Sequence, residues 1–278
     1  MFKNRIITAA WGIPLLGVVI WFGEPYFTIF AAISGLLAII EFSRLTNVIK
    51  DKPLTAFGIV WTLLFIIIRN PSIQAWVQPW IGLDLLYPLL FTAGIAVSLV
   101  ILLTRKQKQG AFTDWAWIFA GILYVGWLLS YVVALRGLPG GRSWVFLAIF
   151  ATFGSDSAAY CIGKTMGKNK LAPMVSPNKT WEGSIGGLFG AVLVSLFFLL
   201  PTPVRLDAFV NWWQIIMLGL LIAVFGQAGD LVESLLKRNT GVKDSSNLFP
   251  GHGGMLDRID SIIFAVVVVY YWVVWSIH

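Results

Sequence analysis

The chain reads as an all-α, polytopic membrane helical bundle of about nine transmembrane helices with a cytoplasmic N-terminus. Three observations lead there. Only 12% of the residues are charged while 58% are hydrophobic, against roughly 25% charged in a soluble domain. Mean hydropathy is +0.82, with apolar runs along the whole length. Those runs are continuous rather than alternating, which selects helices over a closed barrel, the other architecture that satisfies backbone polar groups in lipid.

A helix needs about 20 residues to cross the hydrocarbon core. By that measure the spans fall at 5–23, 26–43, 54–69, 81–103, 115–135, 143–163, 183–200, 211–229 and 259–276. The first could be a signal peptide, but its flank, Gly23-Glu24-Pro25-Tyr26, lacks a small-x-small cleavage site, so it is kept as a span. Fourteen Trp residues suit the belts at headgroup level. With the N-terminus inside, only Arg69, Arg136, Arg142 and Arg205 of the 20 basic residues lie outside, a strong positive-inside bias. The net charge of +7 is spread through loops between spans. It therefore reads as topology and attraction to anionic lipid, not as a nucleic-acid surface.

Residues 1–135 form an N-terminal scaffold of about five spans, almost without polar residues in its first four. Residues 136–278 form a catalytic region of about four spans with two long cytoplasmic loops, 164–182 and 230–258. A single cysteine, Cys161, excludes an intramolecular disulfide and a multi-Cys metal site, and two histidines make a His-rich zinc site implausible.

The polar residues of the C-terminal half carry the chemistry. Asp156 lies inside the sixth span, where a carboxylate is costly and by default functional; an acid paired to a neighbouring helix is the plainer reading. Ser155, Ala159, Gly163 and Gly167 recur every four residues, a stripe for close helix packing. Ser176-Pro177-Asn178-Lys179-Thr180-Trp181-Glu182-Gly183 then opens the seventh span. Lys179, beside hydroxyls and a helix N-terminus, suits phosphate oxygens, although a basic residue at a helix entry is also ordinary topology.

The richest stretch runs from Gly229 to Asp260. Asp230 and Glu233 share one helix face if the eighth span continues, and Asp257 and Asp260 repeat the spacing at the start of the ninth. Taken singly, acids at a helix N-terminus are favourable through the macrodipole alone. Together they flank a Gly-rich turn with Lys and Arg interleaved. Hard carboxylate ligands suit Mg²⁺, glycines let backbone N–H groups approach phosphate, and transfer at phosphorus needs this combination.

The stretch Ser234 to Asp260 resembles the signature of the phosphatidate cytidylyltransferases, or CDP-diacylglycerol synthases. The matching positions are Ser234, Leu236, Lys237, Arg238, Lys243, Asp244, Ser246, Phe249, Pro250, His252, Gly253, Gly254, Met255, Asp257, Arg258, Ile259 and Asp260. The segment 176–183 and Asp156 with Ala159-Tyr160 are also similar to that family, so the resemblance covers roughly residues 150–262.

The resemblance implies that CTP and phosphatidic acid give CDP-diacylglycerol and pyrophosphate, within a polytopic bundle that is often dimeric. It implies Mg²⁺ on Asp230 and Asp257, with a second cation such as K⁺. Asp230, Asp257, Lys179, Asp156 and Asp260 are the expected catalytic set. Lys237, Arg238, His252, Gly253, Gly254, Arg258 and Ser176 are expected to hold the substrates. The expected partners are CTP, phosphatidic acid, membrane lipid and a second copy of the chain, without nucleic acid. The expected location is a bacterial inner membrane, active site facing the cytoplasm. The alternative is an ion or proton-coupled transporter built around Asp156; it leaves the Gly-rich acidic and basic cluster without a purpose.

Overall fold

The computed structural model describes residues 2–105, 108–206, 210–246, 248 and 253–277, with side chains from Trp11 to Ser276 within those limits. Phe249, Pro250 and His252 of the expected signature lie outside the described residues. Helices account for nearly all regular structure, so the chain is an all-α membrane bundle. It clusters into two compact units, Glu24–Ala134 and Met1–Gly23 with Leu135–His278.

The first unit holds α2 (Tyr26–Leu45), α3 (Lys52–Ile67), α4 (Pro71–Val77), α5 (Leu83–Leu103) and α6 (Ala111–Gly121). A π-helical turn, Ile122–Trp127, joins α6 to α7 (Leu128–Gly137). Its core is Phe57, Phe65 and Ile122, with Trp61, Phe91 and Trp127 against them. The span predicted over 54–69 is α3, which ends at Ile67, and the chain then turns by 96° into α4. The cause is local. Asn70 caps α4, accepting from the backbone N–H groups of Ser72 and Ile73, and Pro71 takes the first helical position; a residue before proline is driven out of the α region. Arg69 at this corner is buried, its guanidinium 4.4 Å, 4.7 Å and 4.5 Å from the ring centres of Tyr87, Trp127 and Tyr131. Three aromatic faces offset the desolvation of that charge.

The second unit holds α1 (Phe2–Phe22), α8 (Gly141–Met166), a two-stranded antiparallel hairpin of β1 (Lys170–Ala172) and β2 (Ser176–Thr180), α9 (Trp181–Phe197), α10 (Trp212–Asn239) and α11 (Leu256–Ile277). Sequence reading assigns the first helix to the N-terminal scaffold, yet α1 groups with the C-terminal helices. Arg136 Nε donates to the Ile20 carbonyl at 3.2 Å, and the Arg142 guanidinium lies 4.3 Å from the Trp21 ring.

The predicted small-residue stripe of α8 is a helix interface. Gly183 of α9 faces Ala159 and Gly163, and Gly187 faces Ser155. A Cβ at Gly183 would stand 2.8 Å from the Ala159 carbonyl oxygen, so the two backbones touch where only glycine fits.

All nine predicted apolar stretches are helical. Among the described residues, six helices are long and apolar enough to cross a membrane, or seven if α3 and α4 form one broken span. Within the same limits, Trp11–Phe22 and Trp181–Phe197 are shorter apolar helices.

Candidate active site

The loop expected over 230–258 begins ten residues later than its sequence suggests, because α10 runs on to Asn239. No proline or glycine interrupts 230–239, and Leu231, Leu235 and Leu236 continue the apolar pattern. The stop comes at Gly241, whose φ is +74°. Val242 N–H donates to the Lys237 carbonyl and Gly241 N–H to the Arg238 carbonyl, the paired closure of a helix end by a left-handed glycine. Asp230, Glu233, Lys237 and Arg238 therefore stand on a rigid helix.

The loop expected over 164–182 is largely the β hairpin. Thr180 ends β2 and caps α9, its Oγ1 accepting from the Gly183 N–H at 3.1 Å. Glu182, one residue before the apolar part of α9, reaches back to the turn. Its carboxylate accepts from the backbone N–H of Lys168 at 3.1 Å and from Asn169 Nδ2 at 2.8 Å. Its own backbone N–H, then those of Lys168 and Asn169, hold this carboxyl below its ordinary value of 4.5. The hairpin is thus fixed to the helix that follows it.

This framing places Lys179 Nζ 2.6 Å from Asp230 Oδ2, with side-chain exposures of 24% and 33%. Ser234 Oγ donates to the other Asp230 oxygen at 3.2 Å. Asp156, on the exposed surface of α8, lies in electrostatic reach of Asp230, Lys179 and Arg258. Asp260, one turn into α11, interacts with Asp230, Asp156 and Lys237, and its Oδ1 accepts from the Ser261 N–H at 2.7 Å. The close approach of α10 to α11 depends on Gly229, where a Cβ would meet the Asp260 carbonyl oxygen at 2.5 Å.

Asp257 sits at a second focus. Its Oδ1 accepts from Lys237 Nζ at 2.6 Å. Its Oδ2 accepts from the Ser245 N–H at 2.9 Å, Ser245 Oγ at 2.6 Å and the Gly254 N–H at 2.8 Å. Gly253 has φ +76°, and a Cβ there would stand 2.5 Å from Asp257 Oδ2. The carboxylate therefore ties both described ends of the Gly-rich loop to α11. Lys237 also pairs with Glu233, one turn back on α10.

Lys179 meets Asp230, with Asp156 and Asp260 in electrostatic reach, whereas Arg238 and Ser176 take other partners. Arg238, expected at phosphate, donates to the Val175 carbonyl at 3.1 Å and the Val242 carbonyl at 3.3 Å, so it braces the hairpin tip against α10. Ser176 stands at the far end of β2 from Lys179, opposite Ala172. Ser245 and Glu233 were not singled out as site residues. For Ser245 no signal in the sequence marks it. For Glu233 the i, i+4 spacing to Lys237 does.

The donor chemistry suits a hard cation. Among the described residues no three His, Cys, Asp or Glu side chains converge as a metal cage. Mg²⁺ asks for less, one or two carboxylates completed by water and substrate phosphates.

The sequence pattern of the cytidylyltransferase family matches residues 3–276. The chain belongs to that family. It is 34% identical over 264 residues to the phosphatidate cytidylyltransferase of Staphylococcus haemolyticus, covering 95% of this chain and 96% of the relative. It is 32% identical over 270 residues to that of Bacillus subtilis, covering 97% and 96%. The Staphylococcus epidermidis protein of the same name is 36% identical over 231 residues, covering 83% and 84%. This cytidylyltransferase is accordingly a membrane-embedded nucleotidyltransferase, and its family membership gives no support to a transporter built on Asp156.

Proposed function

We propose that the protein transfers the CMP moiety of CTP to phosphatidic acid, giving CDP-diacylglycerol and pyrophosphate for phospholipid synthesis. The observation that carries this reading is the meeting of Lys179 from the hairpin with Asp230 on α10, beside Asp156, Asp260 and Arg258. Alternating acids and bases of this kind serve phosphate groups and the ions that accompany them.

The phosphate of phosphatidic acid is already anionic, so no strong general base is needed. One of its oxygens attacks the α-phosphorus of CTP. The bond from that phosphorus to the β-phosphate bridging oxygen breaks, and pyrophosphate carries away the electron pair. Lys179, Lys237 and Arg258 neutralise charge on the phosphates of the two substrates. Asp257 keeps the Gly-rich loop folded, so that the backbone N–H groups near Gly253 and Gly254 line the approach. Asp230 and Asp257 would hold Mg²⁺, which when bound supplies in-line alignment and charge stabilisation at the reacting phosphorus. A second cation such as K⁺ rests on the family resemblance alone.

The basic-residue bias supports a bacterial inner membrane with the site on the cytoplasmic side, where CTP is available. A homodimer follows from the family resemblance, and light scattering in detergent measures it. The deciding experiment follows CDP-diacylglycerol formation by purified protein in detergent, with and without Mg²⁺, beside Asp257→Ala. Mg²⁺-dependent product that disappears in the variant is expected. Well-folded wild type without product across lipid and cation conditions would sink the proposal.

A further inference from the structure

We infer that Tyr160 is the platform on which the cytosine ring of CTP stacks, so that it reads the nucleotide and not the lipid. The inference rests on the proposal above that CTP is a substrate.

The half of α8 that leads to Met166 carries one polar, exposed face. Asp156, Tyr160 and Lys164 recur every four residues, with Ser157, Cys161 and Thr165 one position on, and all six are exposed. Spacing by four keeps side chains in one row. The row of Ser155, Ala159 and Gly163 is turned to α9 instead. Asp156 stands ten residues, about 15 Å, from the end of α8 at Met166. An acid and a hydroxyl at that depth do not face hydrocarbon. Their face is therefore open to water or to a polar ligand, and Tyr160 belongs to it. This separates Tyr160 from an aromatic of the headgroup belt, whose neighbours deeper in the bilayer are apolar.

The surroundings of Tyr160 are those of the candidate site. Asp156, one turn away, lies in electrostatic reach of Asp230, Lys179 and Arg258. Gly163, three residues on, packs beside Thr180, where a Cβ would stand 3.1 Å from Oγ1, and Thr180 directly follows Lys179. Tyr160 is nevertheless 67% exposed. The Lys164 ammonium lies 5.7 Å from its ring centre, placing positive charge beside the ring for an anionic nucleotide. An open ring next to phosphate-handling groups offers a flat π-face. Phosphatidic acid has no aromatic group to lay on it, whereas CTP has its base. Four residues, about 6 Å along the helix, separate Tyr160 from Asp156, a gap that the ribose between base and α-phosphate bridges.

The test uses the full-length protein in detergent and two readouts besides turnover. Equilibrium dialysis with labelled CTP, without lipid, measures nucleotide affinity. Tyr160→Leu should weaken it between about fivefold and about 150-fold, the range for losing one base–aromatic stack. Tyr160→Phe keeps the π-face and should stay within about twofold of wild type. Should Tyr160→Leu fail to fold, Tyr160→Gln, polar like the rest of its row, takes its place. The KM for CTP should follow the affinity, while that for phosphatidic acid stays unchanged. Cys161, the single cysteine, is exposed on the same face. A charged maleimide should modify it in wild type, and saturating CTP should slow that reaction. Unchanged CTP affinity in Tyr160→Leu overturns the inference, as does a KM that rises for phosphatidic acid alone, or a Cys161 that reacts equally with and without CTP. An altered oligomeric state at unchanged CTP affinity also overturns it and gives the face to a second copy of the chain. Product formed by Tyr160→Leu at a wild-type KM for CTP leaves the transfer reaction standing. CTP binding that depends on Tyr160, in protein that forms no product, sinks the reaction and keeps the stacking site. Wild type that neither binds CTP nor forms product sinks both.

Discussion

The Lys179 ammonium and the Asp230 carboxylate meet at 2.6 Å, joining the β hairpin to α10. Both side chains are partly exposed, so the pair adds little to stability. Its value lies in poise, since either partner can exchange the other for a phosphate or a cation. Lys179→Met should lower kcat/KM by about 100-fold, the scale of one lost charge-assisted contact in a transition state. The melting temperature should stay within a few degrees of wild type. A radiolabelled CTP assay beside a thermal melt checks both, and an unchanged kcat/KM would remove Lys179 from the site.

Gly253→Ala should impair the enzyme through Asp257. The new Cβ would stand 2.5 Å from Asp257 Oδ2, on a backbone whose φ of +76° already disfavours side chains. A residue forced into that region costs about 1–2 kcal/mol before any clash is counted. The carboxylate must turn away from Ser245 and Gly254, and turnover should fall at least about tenfold. Gly241→Ala has a similar φ with open space around the added carbon; turnover there should change much less.

Gly183→Ala tests the contact of α8 with α9. A Cβ there would press on the Ala159 carbonyl oxygen at 2.8 Å and on Thr180 Oγ1 at 3.0 Å. Overpacking of this kind costs about 1–3 kcal/mol. Gly12→Ala meets nothing within 4 Å and is the control. A melting temperature equally unchanged in both would mean that the helices can separate at no cost.

The hairpin anchor depends on pH with a definite sign. The backbone N–H of Glu182 itself, with those of Lys168 and Asn169, outweighs desolvation and depresses its carboxyl in the folded state. Its contribution is complete above the unfolded value of 4.5 and is lost as pH falls through the lowered folded value. Amide exchange at Lys168 and Asn169, corrected for its intrinsic pH dependence, should show protection that declines below that value. In Glu182→Gln this decline should be absent. Protection that is flat with pH in wild type would contradict the anchoring role.

Much of this was legible in the residues. Segments near 20 apolar residues must be helical in lipid, because no water satisfies an open backbone. Asp156, Lys179, Asp230, Asp257 and Asp260 stood out because charge is rare in this chain; all but Asp257 lie beside a glycine or a hydroxyl, and Asp257 follows the Gly253-Gly254 turn by three residues. Hairpin pairing was hidden: Lys170–Thr180 has no alternating pattern, and Pro177 argues against a strand. The reach of α10 past residue 229 was hidden for a related reason, since hydropathy falls where the helix leaves the apolar layer although its backbone bonding continues.

The class of fold, the helical stretches and the clustering of acids and bases near glycines follow from local composition and spacing. Which acid meets which base is set by packing between elements. Asp230 and Glu233 look alike along the chain, three residues apart on one helix face. Packing of the hairpin and α11 leaves one facing Lys179 at a partly open site and closes the other against Lys237. Burial depends on what other elements bring to that face, and no local pattern carries that information.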